Sequence, residues 1–201
     1  MLTGDKASGG YDRLALVTFN PVTLEAADTR EQCDNLLRAL DETEGLNLIF
    51  TKANADEGGS VINGMLDKFV ADHPDKSCVF TSLGQRRYLS AVSLADVVVG
   101  NSSSGLSEVP SFNVPTVNVG SRQKNRECGP SVISCGPGRV EIKEALERAL
   151  SSEFKDALKK KSKERSLNPY EMPGTSDNIV RIIKEQAKAG KISVNKHFYM
   201  V

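Results

Sequence analysis

Apolar positions along this chain fall into two alternating rhythms. Leu14-Ala15-Leu16-Val17-Thr18-Phe19 is a short run without polar alternation, as expected of a strand buried on both faces. Asn20-Pro21 stops it and opens a loop. Thr29 and Gln32 then stand at capping-box spacing, and Cys33, Leu36, Leu37 and Leu40 repeat at helical intervals until Gly45. A second strand is predicted over 46–51 and a loop over 52–59. Val61, Ile62, Met65, Leu66, Phe69 and Val70 then stripe one face of a second helix. The rhythm continues with strands predicted over 78–81, 96–100, 115–119 and 131–134. Between and after them lie a short helix over 87–94, a helical start over 104–109 and a helix over 140–150. Strands alternating with helices at this spacing imply a parallel sheet covered on both faces, a Rossmann-like doubly wound α/β fold.

The ends of the chain differ from this middle. The first ten residues are rich in glycine and small polar types and read as a flexible leader or linker remnant, so the nucleotide-binding domain is expected over 11–201. Residues 141–165 are strongly charged and include Lys159-Lys160-Lys161. Without interleaved aromatics, a solvated helix face fits this run better than a phosphate or RNA site. Asn168-Pro169-Tyr170 breaks the chain, and Gly174-Thr175-Ser176 begins a last helix with Ile179, Ile182, Ile183 and Ala187 on its apolar side.

Composition narrows the possible partners. The 201 residues carry 26 basic and 26 acidic side chains, so no bulk field draws the chain to nucleic acid or to an anionic membrane. No apolar run approaches the roughly 20 residues of a membrane helix, and the N-terminus lacks a signal-peptide pattern. Cys33, Cys78, Cys128 and Cys135 form no CxxC pair, and only His73 and His197 are available to join them as metal ligands. Neither a metal site nor a cofactor is expected. Scattered reduced thiols, read as small buried hydrophobes, suit a cytoplasmic protein.

Ligands of open α/β sheets bind beyond the carboxyl ends of the strands, and four loops there carry chemistry. The richest is Gly100-Asn101-Ser102-Ser103-Ser104-Gly105 followed by Glu108. Its glycines let backbone approach a ligand, its serines offer hydroxyl donors, and a helix starting there would aim unpaired N–H groups at a phosphate. Serines at a helix start also serve as plain N-caps, and both readings stay open. Glu108, one turn on, can accept hydrogen bonds from ribose hydroxyls. The run is not GxSxG, and Walker A and GxGxxG spacings are absent, which counts against a serine nucleophile, an ATPase and a dinucleotide site. Thr18 to Pro21 and Lys52 to Asp56 end the first two strands with polar groups, and 120–126 places Arg122, Lys124 and Arg126 on the same side. A guanidinium suits phosphate through paired hydrogen bonds.

The segments Leu16-Val17-Thr18-Phe19-Asn20-Pro21-Val22-Thr23, Gly100-Asn101-Ser102-Ser103-Ser104-Gly105-Leu106-Ser107-Glu108-Val109-Pro110-Ser111-Phe112 and Val114-Pro115-Thr116-Val117-Asn118-Val119-Gly120-Ser121-Arg122-Gln123 resemble UDP-N-acetylglucosamine 2-epimerases. The likeness is greatest to the hydrolysing type that feeds sialic acid and related nonulosonate synthesis, and Lys196-His197-Phe198-Tyr199 resembles that subfamily's C-terminus. The resemblance implies the C-terminal half of a glycosyltransferase-B-type architecture, with UDP or UDP-N-acetylglucosamine held in the cleft between two domains. It implies that Asn54 and the backbone at Leu83 lie by the nucleotide, that Ser102 and Ser103 hold the phosphates and Glu108 the ribose, and that Arg122 lines the pocket. The family reaction eliminates UDP to a glycal and adds water, giving N-acetylmannosamine and UDP.

Two departures qualify this. The family's acidic catalytic residues lie mostly in an N-terminal domain that this sequence does not contain, and the family's usual histidine after the first strand is Asn20 here. Asparagine donates a hydrogen bond but carries neither charge nor a transferable proton near neutral pH. The isolated chain is therefore expected to bind UDP weakly without epimerase activity, with an N-terminal domain from the same gene or a separate chain and a homo-oligomer as its expected partners. The nucleotide-binding half of a glycosyltransferase, and a non-catalytic UDP-sugar-binding domain, remain alternatives.

Overall fold

The computed structural model describes residues 13–22 and 28–192. The leader over 1–10 and the C-terminal Lys196 to Tyr199 match lie outside the described residues. The chain divides into two compact units, Met1–Pro169 and Tyr170–Val201.

In the first unit, six strands form one all-parallel sheet: β1 (Arg13–Thr18), β2 (Leu46–Thr51), β3 (Ser77–Phe80), β4 (Val97–Gly100), β5 (Thr116–Val119) and β6 (Val132–Cys135). Their order is β3-β2-β1-β4-β5-β6. The chain steps outward from β1 to β3, then returns to lay β4 beside β1, with Val17 opposite Val99 and Thr18 opposite Gly100. This reversal opens a crevice at the carboxyl ends of β1 and β4, where doubly wound sheets bind ligands.

The unalternated apolar runs are explained by two cores, one on each face. Ala15 and Val17 of β1, Val97 and Val99 of β4, and Val117 and Val119 of β5 point to one side. There they meet α1 (Thr29–Asp41), α2 (Gly59–Asp72) and α5 (Arg139–Leu150), whose Leu36, Leu40, Ile62, Leu66, Ile142 and Leu146 are all buried. Leu16 and Val98 point to the other side, toward Val92 of α3 (Gly84–Leu94) and toward Val109. Each such buried aliphatic side chain contributes about 1.5–3 kcal/mol of transfer free energy, so both faces of the central strands must be apolar.

Several expectations are adjusted. The capping box does not form: the N-cap of α1 is Asp28, and the buried Thr29 hydroxyl has no hydrogen-bond partner among the described residues. The third strand begins one residue earlier than predicted, and α3 begins three residues earlier, at Gly84. The charged stretch is two helices, α5 and α6 (Ser152–Glu164), separated at Ser151, whose hydroxyl caps Phe154 N at 3.2 Å. On α6 only Leu158 is buried, and Lys159, Lys160 and Lys161 face solvent. Of the cysteines, Cys33 is buried and Cys78 and Cys135 partly so, but Cys128 is exposed, against the expectation that all four are interior.

In the second unit, α7 (Thr175–Lys188) starts after Gly174 as expected, and Ile179, Ile182 and Ile183 on its apolar side are exposed. Among the described residues no helix is long and apolar enough to cross a membrane, and no three His, Cys, Asp or Glu side chains are grouped to hold a metal ion.

Candidate nucleotide-binding cleft

The four loops singled out in the sequence follow β1, β2, β4 and β5, which are consecutive neighbours in the sheet. Convergence on one edge is thus a direct product of the topology.

At the crevice, Asn101 ties two of these loops together. Its side chain is fully buried at 0 % exposure. Its Oδ1 accepts from Asn20 N at 2.7 Å and its Nδ2 donates to Asn20 O at 2.7 Å, so the carboxamide continues the β1–β4 ladder by one rung of side chain on backbone. The backbone can turn here because Gly100 adopts φ +131°, and a Cβ at that position would lie 1.9 Å from Thr18 O. Only glycine fits so close an approach.

The other predicted residues divide into two groups. Asn20 and Arg122 bond to Asn101, and Asn54 joins them through Asn20: Asn54 N donates to Asn20 Oδ1 at 3.0 Å, and Arg122 Nη1 donates to Asn101 O at 3.2 Å. Gln123 Nε2 shares that carbonyl at 2.8 Å. The Asn20 side chain is therefore held in a hydrogen bond within the loop cluster. Leu83, Ser102 and Glu108 instead line a neighbouring cleft of about 450 Å³, together with Thr18, Thr51, Lys52 and Tyr88. Thr18 and Thr51 hydroxyls meet at 2.5 Å on its floor, and Lys52 pairs with Asp67 at 2.8 Å. Ser103 is the N-cap residue of the single-turn helix α4 (Ser104–Ser107), and its side chain makes no cap hydrogen bond.

Two expectations about phosphate binding are corrected by this geometry. The helix expected to aim a positive dipole end at the ligand is only four residues long, followed by a 3-10 turn over Val109–Phe112. So short a turn sums few peptide dipoles, so it presents little of the positive helix end that the sequence reading expected there. The three loop cations also separate. Arg122 turns toward Asn101, whereas Lys124 and Arg126 line a different cavity of about 550 Å³ beside Asn118 and Cys135.

Tyr88 was not evident as a site residue from the sequence. Its ring packs with Leu83, Ala91 and Phe112 against the core on the α3 side, and Ser104 Oγ donates to its hydroxyl at 2.9 Å. Burial pushes its phenol above the ordinary tyrosine value, the Ser104 hydrogen bond offsets part of this, and the nearby Glu108 carboxylate adds to it. The only sequence signal was an aromatic residue at the polar start of a helix.

The UDP-N-acetylglucosamine 2-epimerase family profile matches residues 5–184. The chain belongs to that family. Over 142 residues it is 40% identical to the GDP/UDP-N,N'-diacetylbacillosamine 2-epimerase (hydrolyzing) of Campylobacter jejuni, covering 71% of this chain and 36% of the relative. Over 188 residues it is 33% identical to polysialic acid biosynthesis protein P7 of Escherichia coli, covering 93% of this chain and 46% of the relative. The chain thus spans less than half the length of these relatives. Among solved structures, S. aureus MnaA in complex with UDP superposes with a TM-score of 0.66 at 16% identity, over 94% of this chain and 50% of that one. At that identity the likeness establishes the fold, the α/β type of glycosyltransferase-B epimerases.

Proposed function

We propose that this chain is the UDP-holding half of a hydrolysing UDP-N-acetylglucosamine 2-epimerase, whose products are N-acetylmannosamine and UDP. The observation that carries this is the arrangement of the family's polar residues at the switch point of the sheet. Leu83, Ser102 and Glu108 share one cleft, and Asn20, Asn54 and Arg122 are joined in one hydrogen-bond cluster with Asn101, the residue before Ser102. In this reading Leu83 backbone and Asn54 flank the nucleoside, Glu108 accepts from the ribose, and Ser102, Ser103 and Arg122 meet the diphosphate. Donors fixed around the diphosphate stabilise UDP as negative charge builds on it during elimination. The similarity to a diacetylbacillosamine epimerase supports a second substrate, a UDP-linked 2,4-diacetamido sugar, for the same site.

The proton transfers of epimerisation need groups that exchange protons near neutral pH. Asn20 does not, and it stands where the family resemblance implies histidine. We place the acid–base residues on an N-terminal domain, supplied by the same gene or by a separate chain, in a cytoplasmic homo-oligomer. The 201-residue chain alone then binds UDP without turning over substrate. A third reading, a non-catalytic UDP-sugar-binding domain, is favoured by the same Asn20.

Thermal melts with UDP and UMP test the site. Stabilisation by UDP and not by UMP is expected, since recognition centres on the diphosphate. No shift with either would refute it. Incubation with UDP-N-acetylglucosamine and with its 2,4-diacetamido analogue tests the rest: release of a free sugar by the isolated chain refutes the claim of inactivity. Turnover after an N-terminal domain is supplied separates the enzyme from the binding domain, and its substrate preference separates the two sugars.

A further inference from the structure

Tyr88 and Glu108 face the same cleft from different elements, and their hydrogen-bonding characters are complementary. Tyr88 sits on α3 with its ring partly buried against the core that includes Leu16, Val92, Val98 and Val109, which anchors the phenol at the cleft. Ser104 Oγ donates to that hydroxyl at 2.9 Å. With its oxygen receiving a proton from Ser104, the phenol's own proton is left to be given away. Burial first, and the Glu108 charge to a lesser degree, raise the phenol above its ordinary value and keep its proton in place, while Glu108 itself is an acceptor when ionised. A vicinal diol matches such a pair: one hydroxyl donates to the carboxylate while the oxygen of the other accepts from the phenol.

We propose that Tyr88 is a specificity-determining residue of the cleft, donating to the 2′-oxygen of a ribose whose neighbouring hydroxyl is held by Glu108, so that the site selects ribonucleotides over 2′-deoxyribonucleotides. This rests on the reading of the cleft as a UDP site. The role of Ser104 is to position: it occupies the phenol oxygen and thereby directs the phenol proton into the cleft. A 2′-deoxy ligand leaves that proton without an acceptor in a partly buried site, and unpaired donors of this kind are what make polar pockets selective.

The test is calorimetric titration of the 201-residue chain with UDP and with 2′-deoxy-UDP. The wild type is expected to bind UDP tighter by on the order of tenfold, the worth of one satisfied hydrogen bond in such a pocket. Tyr88→Phe keeps the ring packing and removes only the hydroxyl. It is expected to weaken UDP by about tenfold while leaving 2′-deoxy-UDP within about twofold, so the preference collapses. A general loss of structure would weaken both ligands together, and that result overturns the proposal, as does an unchanged preference in the variant. Should Tyr88→Phe fail to fold by circular dichroism, Ser104→Ala replaces it; there the preference is expected to narrow two- to threefold, roughly the effect of a misdirected donor, and an unchanged preference overturns the proposal. A wild type that binds both nucleotides equally refutes the ribose selection and leaves the UDP site standing. A wild type that binds neither refutes the UDP reading itself, and the ribose selection falls with it.

Discussion

Asn101→Ala isolates the contact that shapes the crevice. The native side chain is fully buried, and its two hydrogen bonds to the backbone of Asn20, both 2.7 Å, bind the loop after β1 to the loop after β4. Alanine leaves the Asn20 N–H and C=O without these partners in a residue that is only 8 % exposed. An orphaned buried donor or acceptor costs about 1–3 kcal/mol, and water entering the vacated space recovers part of that, so the pair should cost about 2–4 kcal/mol. For a chain of this length the melting temperature should fall by about 5–15 °C. Urea unfolding and thermal melts followed by circular dichroism measure both numbers. The change should also blunt stabilisation by UDP, because Asn101 O is the shared acceptor of Arg122 and Gln123 and the loop that presents it is no longer tied to Asn20. A stability loss below about 0.5 kcal/mol, the size of an ordinary surface substitution, would refute the reasoning.

Four other outcomes follow from the structure. A Cβ on Gly105 would stand 2.8 Å from Thr116 Cγ2, so Gly105→Ala should destabilise by about 1–2 kcal/mol; adding Thr116→Ser, which keeps the hydroxyl bond to Gly105 O, should restore most of it, and simple additivity in a double-mutant cycle would count against the steric account. Burial pushes the Cys33 thiol up to about 12, and burial with Glu141 pushes Cys135 up to about 11, whereas Cys128 is exposed. A thiol reagent at pH 8 should therefore label Cys128 first and Cys33 only on unfolding. Because the native state holds those two protons to higher pH than the unfolded state does, stability should fall as pH rises from about 9 toward about 11–12, measurable by urea titration across that range. Asn20→His, which installs the histidine that the family resemblance implies there, should make UDP binding, taken relative to the wild type at each pH, tighten as pH falls through about 6.5, provided an imidazole on the loop after β1 reaches the bound diphosphate as it becomes cationic; a ratio that stays constant between pH 5.5 and 8 would show that position 20 does not reach the phosphates.

The sheet was legible because its signals are redundant. The run Asp96-Val97-Val98-Val99-Gly100 announces a strand buried on both sides, and Val97 and Val99 do enter one core while Val98 enters the other. Boundaries were less legible where a local motif competes with tertiary packing. Thr29 and Gln32 have the spacing of a capping box, yet both are buried, and the helix is seated by Leu36 and Leu40 instead. The helix after Ser103 was overestimated for a related reason: Glu108, which fits the helical pattern, is where the single turn ends and the 3-10 segment begins.

The site was legible at the level of loops and much less so at the level of roles. Asn54 and Arg122 were singled out as ligand contacts, and the structure also gives each a partner within the protein, Asn20 Oδ1 and Asn101 O. These duties are compatible. Asn54 uses its backbone N–H on Asn20 and keeps its carboxamide on the exposed side, bonded to Asp56 at 2.6 Å. Arg122 commits one N–H to Asn101 O at 3.2 Å, and a guanidinium has five. A cation fixed by one bond to the scaffold has already lost much of its side-chain freedom, so a diphosphate binding to its remaining donors meets less entropy cost than it would at a mobile arginine. No sequence pattern announces this, because it depends on Asn101, a residue eighty-one positions from Asn20 that the sheet brings within 2.7 Å of it. The phosphate reading of Arg122 therefore leans on the Asn101 side chain, which fixes the loop carrying the carbonyl that Arg122 holds, and an Asn101→Ala chain that loses stability as expected but keeps UDP affinity unaltered would separate the two readings.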